Sequence, residues 1–248
     1  MKTRIVLTSV ALVGILGSTL TFAAEKVHWG YTGETAPANW GKLAPEFSIC
    51  ASGKNQSPIN LTGMVEGELP PLTVAYKVGG NEVVNNGHTI QVNYVPGSTI
   101  SVNNATYELK QFHFHSPSEN NIENTSYPME AHFVHADKDG NLAVVAVMYE
   151  TGKHNTELEK AWELMPVNTD GKQALMTEVD ANVLLPANRD YYRFNGSLTT
   201  PPCSEGVKWF VLKTVDTASK EQIGKFAHTI HHDNNRPIQP VNARLIIQ

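Results

Sequence analysis

His113 and His115 alternate with Phe112 and Phe114, and a third histidine follows in Glu130-Ala131-His132 on the next apolar run. In a β-strand successive side chains point to opposite faces, so Gln111, His113 and His115 share one face and the two phenylalanines share the other. If the second run pairs antiparallel with the first, Glu130, His132 and Val134 point the same way and a third imidazole completes a facial set. Three neutral nitrogens with a free fourth position are the donor set of a catalytic zinc, since structural zinc is closed by four protein ligands. Gln111 and Glu130 offer acceptors that can fix the ring tautomers from behind. A lone His-x-His carries little weight, because alternating histidines also occur on polar strand faces. The third histidine and the flanking acceptors give the pattern its specificity.

The elements that must hold these residues are mostly strands. Period-2 patterning predicts them over residues 73–76, 82–85, 89–94, 99–102, 107–115, 129–135, 142–149 and 207–213, separated by turn chemistry such as Asn86-Gly87, Pro96-Gly97 and Asp139-Gly140-Asn141. Helix signals are confined to two places. Thr156 with Glu159 reads as a capping box before Leu158, Trp162 and Met165, stopped by Pro166. Ser219 with Gln222 repeats the device before Ile223, Phe226, Ala227 and Ile230. The chain therefore reads as mainly β, with both helices packed on the outside of the sheet.

Lys2 and Arg4, the apolar residues that follow and the small residues at the end of 1–23 read as a signal peptide, too short in its apolar part to span a bilayer. Its removal takes away two positive charges and moves the formal charge from -5 to -7. A mildly acidic surface argues against nucleic acid or anionic lipid as partner. Nothing later in the chain reads as a membrane span, and the expected location is periplasmic or secreted. Residues 24–248 are expected to form one domain with a sizeable core, without repeats or low-complexity segments. Two cysteines, Cys50 and Cys203, in an oxidising compartment favour one disulfide over two independent buried thiols. Such a bridge would also hold still the segment beside Thr199.

That segment, Asn195-Gly196-Ser197-Leu198-Thr199-Thr200-Pro201-Pro202-Cys203, is forced extended by its prolines and can aim a hydroxyl at a fixed point. With it the chain resembles the α-class carbonic anhydrases. The resemblance is carried by His28-Trp29-Gly30-Tyr31, Gln56-Ser57-Pro58-Ile59-Asn60, Asn85-Asn86-Gly87-His88, the 111–115 run, Ser118-Glu119, Glu130-Ala131-His132, Ser197-Leu198-Thr199-Thr200-Pro201-Pro202, Trp209 and Asn235-Arg236-Pro237. These motifs follow the family's order and approximate spacing over essentially the whole mature chain.

The resemblance implies reversible hydration of carbon dioxide to bicarbonate and a proton, with Zn2+ held by His113, His115 and His132. It implies that Gln111 and Glu130 bond the ring N–H groups of His113 and His132. Thr199 would orient the hydroxide nucleophile and pass its own proton to Glu119, and its backbone N–H would hold a substrate oxygen. Thr200 would line the polar side, and Val134, Val144, Leu198, Val207 and Trp209 would form the apolar wall for carbon dioxide. His88 would be the proton shuttle, a task its unperturbed pKa of about 6.5 suits; Tyr31, Asn86, Gln91 and Gln111 could order the relay water. Sulfonamides and small anions are the inhibitors implied, at the zinc, and a homodimer is admitted. The implied fold is a large twisted, mostly antiparallel sheet of about ten strands with short peripheral helices.

Several residues point elsewhere. His228 and His232 lie four apart without a third ligand, while His135, His154 and His231 read as packing or surface residues. Asn120 and Phe194 stand where the family commonly has His and Tyr, which puts local hydrogen bonding in question. Two alternative readings remain. A cupin would add Glu119 to the ligands, but Tyr107 and Ser126 stand where cupin glycines are expected. A carbonic-anhydrase-like binding module without activity would typically lack a zinc histidine, and all three are present.

Overall fold

Phe112 and Phe114 are fully buried on one side of their strand while His113 and His115 face the other, and this alternation organises the computed structural model, which describes residues 27–248. The expected leader and the first residues of the expected mature domain lie outside the described residues. Thirteen strands are formed: β1 Asn60–Leu61, β2 Thr73–Ala75, β3 Gly80–Asn85, β4 Ile90–Tyr94, β5 Thr99–Val102, β6 Ala105–His115, β7 Asn121–Ile122, β8 Met129–Ala136, β9 Leu142–Thr151, β10 Gly171–Val179, β11 Tyr191–Ser197, β12 Glu205–Leu212 and β13 Asp216–Ala218. Eleven of them make one sheet in the order β10-β3-β4-β6-β8-β9-β12-β11, with β5 joined to β6, β2 to β5 and β13 to β9; β1 and β7 pair separately. Most neighbours are antiparallel, but β12 and β13 both run parallel to β9, so the sheet is mixed.

Each face of the sheet buries an apolar cluster. One holds Phe112, Phe114 and Phe133 with Val145 and Val147 of β9, and the other holds Val144, Ala146 and Met148 with Val207 and Trp209. A strand buried on both faces loses its alternation, which is why β9 reads as the near-continuous apolar run Leu-Ala-Val-Val-Ala-Val-Met-Tyr. The helices α1 (Trp40–Leu43) and α2 (Ile49–Ser52) are single turns near the amino end. α3 (Thr156–Glu163) and α4 (Lys220–Ile230) cover the phenylalanine face, with the Phe114 and Trp162 rings edge-to-face at 4.8 Å.

Ser219 and Gln222 do form the expected capping box on α4. At α3 the expectation is corrected: Asn155, not Thr156, is the cap, its side-chain oxygen accepting from the Glu157 and Leu158 amides. Either residue type can cap. The choice fell to Asn155 because Gln222 of α4 also holds its backbone, accepting from the Asn155 N–H and donating to its carbonyl.

β10, β11 and β13 escape period-2 reading. β11 contains Asn195-Gly196, a pair that reads as a turn, yet Gly196 sits inside the strand because a Cβ there would stand 2.1 Å from the Ser57 hydroxyl. That approach lets Ser57 and Ser197 exchange two bonds, each hydroxyl accepting from the other's backbone N–H at 2.9 and 3.1 Å.

Candidate active site

β6 and β8 pair antiparallel with His113 opposite His132, His115 opposite Glu130 and Gln111 opposite Val134. A one-residue slip would send these side chains to the opposite face, and the phenylalanines packed behind them fix the register. Three imidazoles therefore stand on one face, with ring centroids 4.6 to 5.3 Å apart. One nitrogen from each lies within 4.8 Å of the others.

The outer nitrogens identify which lone pairs point inward. His113 Nδ1 lies 2.9 Å from Gln111 Oε1, and His115 Nδ1 lies 2.7 Å from the Asn234 carbonyl. Because both partners are acceptors, each Nδ1 carries its proton and each Nε2 presents a lone pair. His132 is turned the other way: its Nε2 stands 2.9 Å from Glu130 Oε1, a short contact poorly aligned for a hydrogen bond, which leaves Nδ1 for the centre. Glu130 is itself fixed, accepting from the Glu119 and Asn120 backbone amides and the Asn120 side chain at 2.7 to 2.8 Å. Asn120 thus holds Glu130 directly, and its side-chain oxygen accepts from the Ile59 amide at 3.1 Å.

The donor set fits a divalent ion. His115 Nε2 is buried and has no hydrogen-bond partner, a costly arrangement unless a cation takes the lone pair. Burial and neighbouring rings hold the His113 pKa well below the usual imidazole range, and burial does the same first for His132 and, less strongly, for His115. Neutral rings can ligate without first losing a proton. Imidazole donors in this number suit a divalent first-row ion such as zinc, copper or nickel.

Glu119 lies beside the centre, its Oε2 3.4 Å from His115 Nε2 and 3.9 Å from His132 Nδ1. The Arg236 amide donates to its Oε1 at 2.9 Å. Burial pushes the carboxyl up to about 8, while the Arg236 amide and the Thr199 hydroxyl pull it down. A bound cation would pull it down further. Thr199 is buried and Thr200 half-buried, in the turn after β11 where the Cys203 N–H donates to the Thr200 carbonyl at 2.8 Å. Cys203 adopts left-handed backbone, φ 58°, and is bridged to Cys50. The expected disulfide is therefore present, and it ties that turn to α2.

Val144, Val207 and Trp209 are buried in one apolar cluster, with Val134 and Leu198 packed against it. The Trp209 ring meets His132 edge-on at 4.9 Å, so the apolar wall adjoins the nitrogen cluster. On the opposite side is a polar cavity of about 140 Å³, bordered by His113, His115, Thr200, Tyr31, Gln91 and His88. His88 also borders a larger cleft of about 600 Å³ beyond it, and its ring stacks on Trp29 at 3.7 Å. It stands at the junction of the inner cavity and the outside.

Sequence reasoning missed Asn234. This fully buried residue takes the His115 proton on its carbonyl, and its side-chain amide donates to the His88 and Phe114 carbonyls at 3.0 and 2.9 Å. Its only signal was its place next to Asn235-Arg236-Pro237. Among the described residues no second cluster of three metal-binding groups occurs, and His228, His231 and His154 are exposed. His135 is fully buried, with Nε2 2.5 Å from the Tyr76 hydroxyl, and packs on the face away from the centre.

The family model described as eukaryotic-type carbonic anhydrase matches residues 35–248. A protein of Neisseria gonorrhoeae named carbonic anhydrase is 51% identical over 243 residues, 98% of this chain and 96% of the relative. Another so named, from Pectobacterium carotovorum, is 51% identical over 225 residues, 91% of this chain and 92% of the relative. The α-carbonic anhydrase of Thermovibrio ammonificans, solved in complex with sulfanilamide, is 49% identical with a TM-score of 0.88, covering 90% of this chain and 100% of that one.

Proposed function

Since the chain belongs to the eukaryotic-type carbonic anhydrase family, we propose that zinc is the metal its histidines hold and that the residues around it divide the work of one reaction. The enzyme interconverts carbon dioxide and water with bicarbonate and a proton. The observation that carries the assignment is the inward-facing nitrogen set of His113, His115 and His132, with the unpartnered His115 Nε2 among them. When bound, zinc lowers the pKa of a coordinated water to about 7, the value characteristic of carbonic anhydrases.

The protein's own groups do the rest. Thr199 accepts a hydrogen bond from the nucleophile and donates its hydroxyl proton to Glu119, which leaves a lone pair aimed at the carbon. Glu119 can take that role because its other oxygen is held by the Arg236 amide. Val134, Val144, Leu198, Val207 and Trp209 give an uncharged substrate without a dipole an apolar surface to rest on. The Thr199 N–H holds a substrate oxygen while Thr200 lines the polar side. His88 takes up the surplus proton at the cavity mouth and releases it to buffer. Gln111 and Asn234 hold the His113 and His115 rings in the required tautomers, and the Glu130 carboxylate beside His132 Nε2 favours the tautomer with its proton on that nitrogen.

The cupin alternative falls with the family match, which runs over 214 of the described residues as one unit, residues 35–248. An inactive binding module has no support in a chain that keeps all three histidines. Sulfonamides are inferred to bind at the metal; the Thermovibrio protein was solved in complex with the inhibitor sulfanilamide. We further propose that 24–248 is a single catalytic domain exported behind 1–23; the Cys50–Cys203 disulfide suits an oxidising compartment, and no helix of the described residues is long and apolar enough to cross a membrane.

The test is stopped-flow hydration of carbon dioxide by oxidised, purified protein, with zinc measured in the same sample. One zinc per chain, activity lost on chelation and restored by zinc, and inhibition by a sulfonamide are expected. Protein that binds no stoichiometric zinc, or that is inactive when loaded, would overturn the assignment.

A further inference from the structure

Beside the first histidine strand, β4 presents Gln91 and Asn93 on the histidine face, because Ile90, Val92 and Tyr94 turn into the phenylalanine core. Gln91 stands opposite His113 and Asn93 opposite Gln111, while Glu82 of β3 stands opposite Asn93. These three side chains form a ladder. The Asn93 amide donates to Glu82 Oε1 at 2.6 Å, and the Gln91 amide donates to Asn93 Oδ1 at 2.6 Å. All three are half-buried, and Gln91 borders the polar cavity of about 140 Å³.

The ladder has one direction. Two carboxamides by themselves can pair either way round, but a carboxylate has no proton to donate and must be met by an NH2. Glu82 therefore turns the Asn93 NH2 toward itself, which turns the Asn93 oxygen toward Gln91 and spends a Gln91 N–H on it. The Gln91 oxygen, bonded to no group among the described residues, is left for the cavity. Its neighbours have the opposite polarity. Gln111 spends its oxygen on His113 Nδ1–H, and Asn86 spends its oxygen on the His88 and Thr89 amides at 3.0 and 2.9 Å, so each keeps an NH2.

A water that passes a proton onward accepts through a lone pair and donates one hydrogen, and its spare hydrogen needs an acceptor to fix its direction. We propose that Glu82, acting through Asn93, is the positioning residue that holds the Gln91 carbonyl toward the cavity, where it takes that spare hydrogen and leaves the other aimed toward His88. The inference rests on the reading of His88 as the exit for the proton and adds the group that sets the polarity of its path. With the Gln91 amide reversed, Asn86, Gln111 and Gln91 would all present donors. The spare hydrogen would then lose its carboxamide acceptor.

The experiment follows zinc-loaded, oxidised protein by stopped flow in a concentrated, bulky buffer, and by neutron diffraction of deuterated crystals, which tells ND2 from oxygen. Glu82→Lys puts a donor where the carboxylate stands and should reverse both carboxamides. Then kcat should fall about threefold or more, part of the roughly hundredfold that a positioned proton-transfer group supplies, while kcat/KM at its alkaline plateau and the zinc content stay at wild-type values. Glu82→Lys/Asn93→Asp should recover most of kcat, since a carboxylate at position 93 accepts from the lysine and from Gln91 alike. General damage to the strand would lower kcat/KM as well and would not be repaired by a second change. The neutron maps should place the Gln91 ND2 toward Asn93 in the wild type, toward the cavity in the single variant, and toward position 93 again in the double one. Undiminished kcat in Glu82→Lys, a double variant no better than the single, or a Gln91 that does not reverse would overturn the proposal. His88→Ala measured alongside separates the two readings. If it alone lowers kcat, the shuttle stands and the ladder has no part in it; if neither variant lowers kcat, the shuttle reading has failed and the proposal with it.

Discussion

His88 and Glu119 act on different steps, and single substitutions separate them. His88 stands between the inner polar cavity and the outer cleft, so its removal should slow proton export and leave the attack on carbon dioxide intact. In His88→Ala, kcat should fall by up to about a hundredfold, the low end of what positioned proton-transfer groups contribute, with kcat/KM nearly unchanged. Added imidazole should restore turnover; if kcat is unaffected in weak buffer, the shuttle assignment is wrong. Glu119→Gln keeps the volume; with its oxygen held by the Arg236 amide, it turns an NH2 donor instead of an acceptor toward the Thr199 hydroxyl. It should lower kcat/KM by about a hundredfold or more, the cost of a misaligned nucleophile, while zinc content stays at one per chain. Equal activity in both forms would show that Thr199 needs no acceptor there.

At the scale of elements, the turn after β11 carries Thr199 and Thr200 and is anchored from outside. The Cys50–Cys203 bridge joins positions 153 residues apart. Gln56 adds to it, donating its side-chain amide to the Cys203 carbonyl at 3.0 Å, and the fully buried Arg236 donates to Gln56 and to the Cys50 carbonyl at 2.9 and 2.8 Å. By loop entropy alone, closing so long a loop stabilises the fold by on the order of 5 kcal/mol. Cys50→Ser/Cys203→Ser should therefore lose several kcal/mol in urea unfolding. It should also lose activity at temperatures where the fold still persists, because the turn is freed first. A double variant with unchanged stability would show that the hydrogen bonds suffice.

For the whole molecule the buried histidines set the acid limit. Burial pushes His135 down to about 3 from an ordinary 6.5, against bonds to the Ala143 and Phe133 backbone that favour its charged form. Below pH 6.5 the unfolded chain takes up a proton that the folded chain refuses until about pH 3. Stability therefore falls as pH falls through that window, by about 1.4 kcal/mol per pH unit for each such group. His113, His115 and His132, also held low, add to the slope when the metal is removed. Metal-free protein should lose stability steeply between pH 6.5 and 4, and His135→Gln should flatten the curve. A pH-independent midpoint over that interval would refute the account.

The sequence by itself determined the face of each histidine, since period-2 geometry needs only a strand to place His113, His115 and His132 on one side. It also determined most strands, the α4 cap and the nucleophile-orienting segment, because those signals are local or are borne by long motifs. Tertiary structure decided the rest, for reasons that lie outside any local window. Asn155 became the α3 cap because Gln222, 67 residues away, grips its backbone. Gly196 lies in a strand because Ser57 packs over it, and Asn234 became the partner of His115 across 119 residues. β10 has no periodic core pattern to reveal it, and only the order of strands shows that it ends the sheet among the described residues.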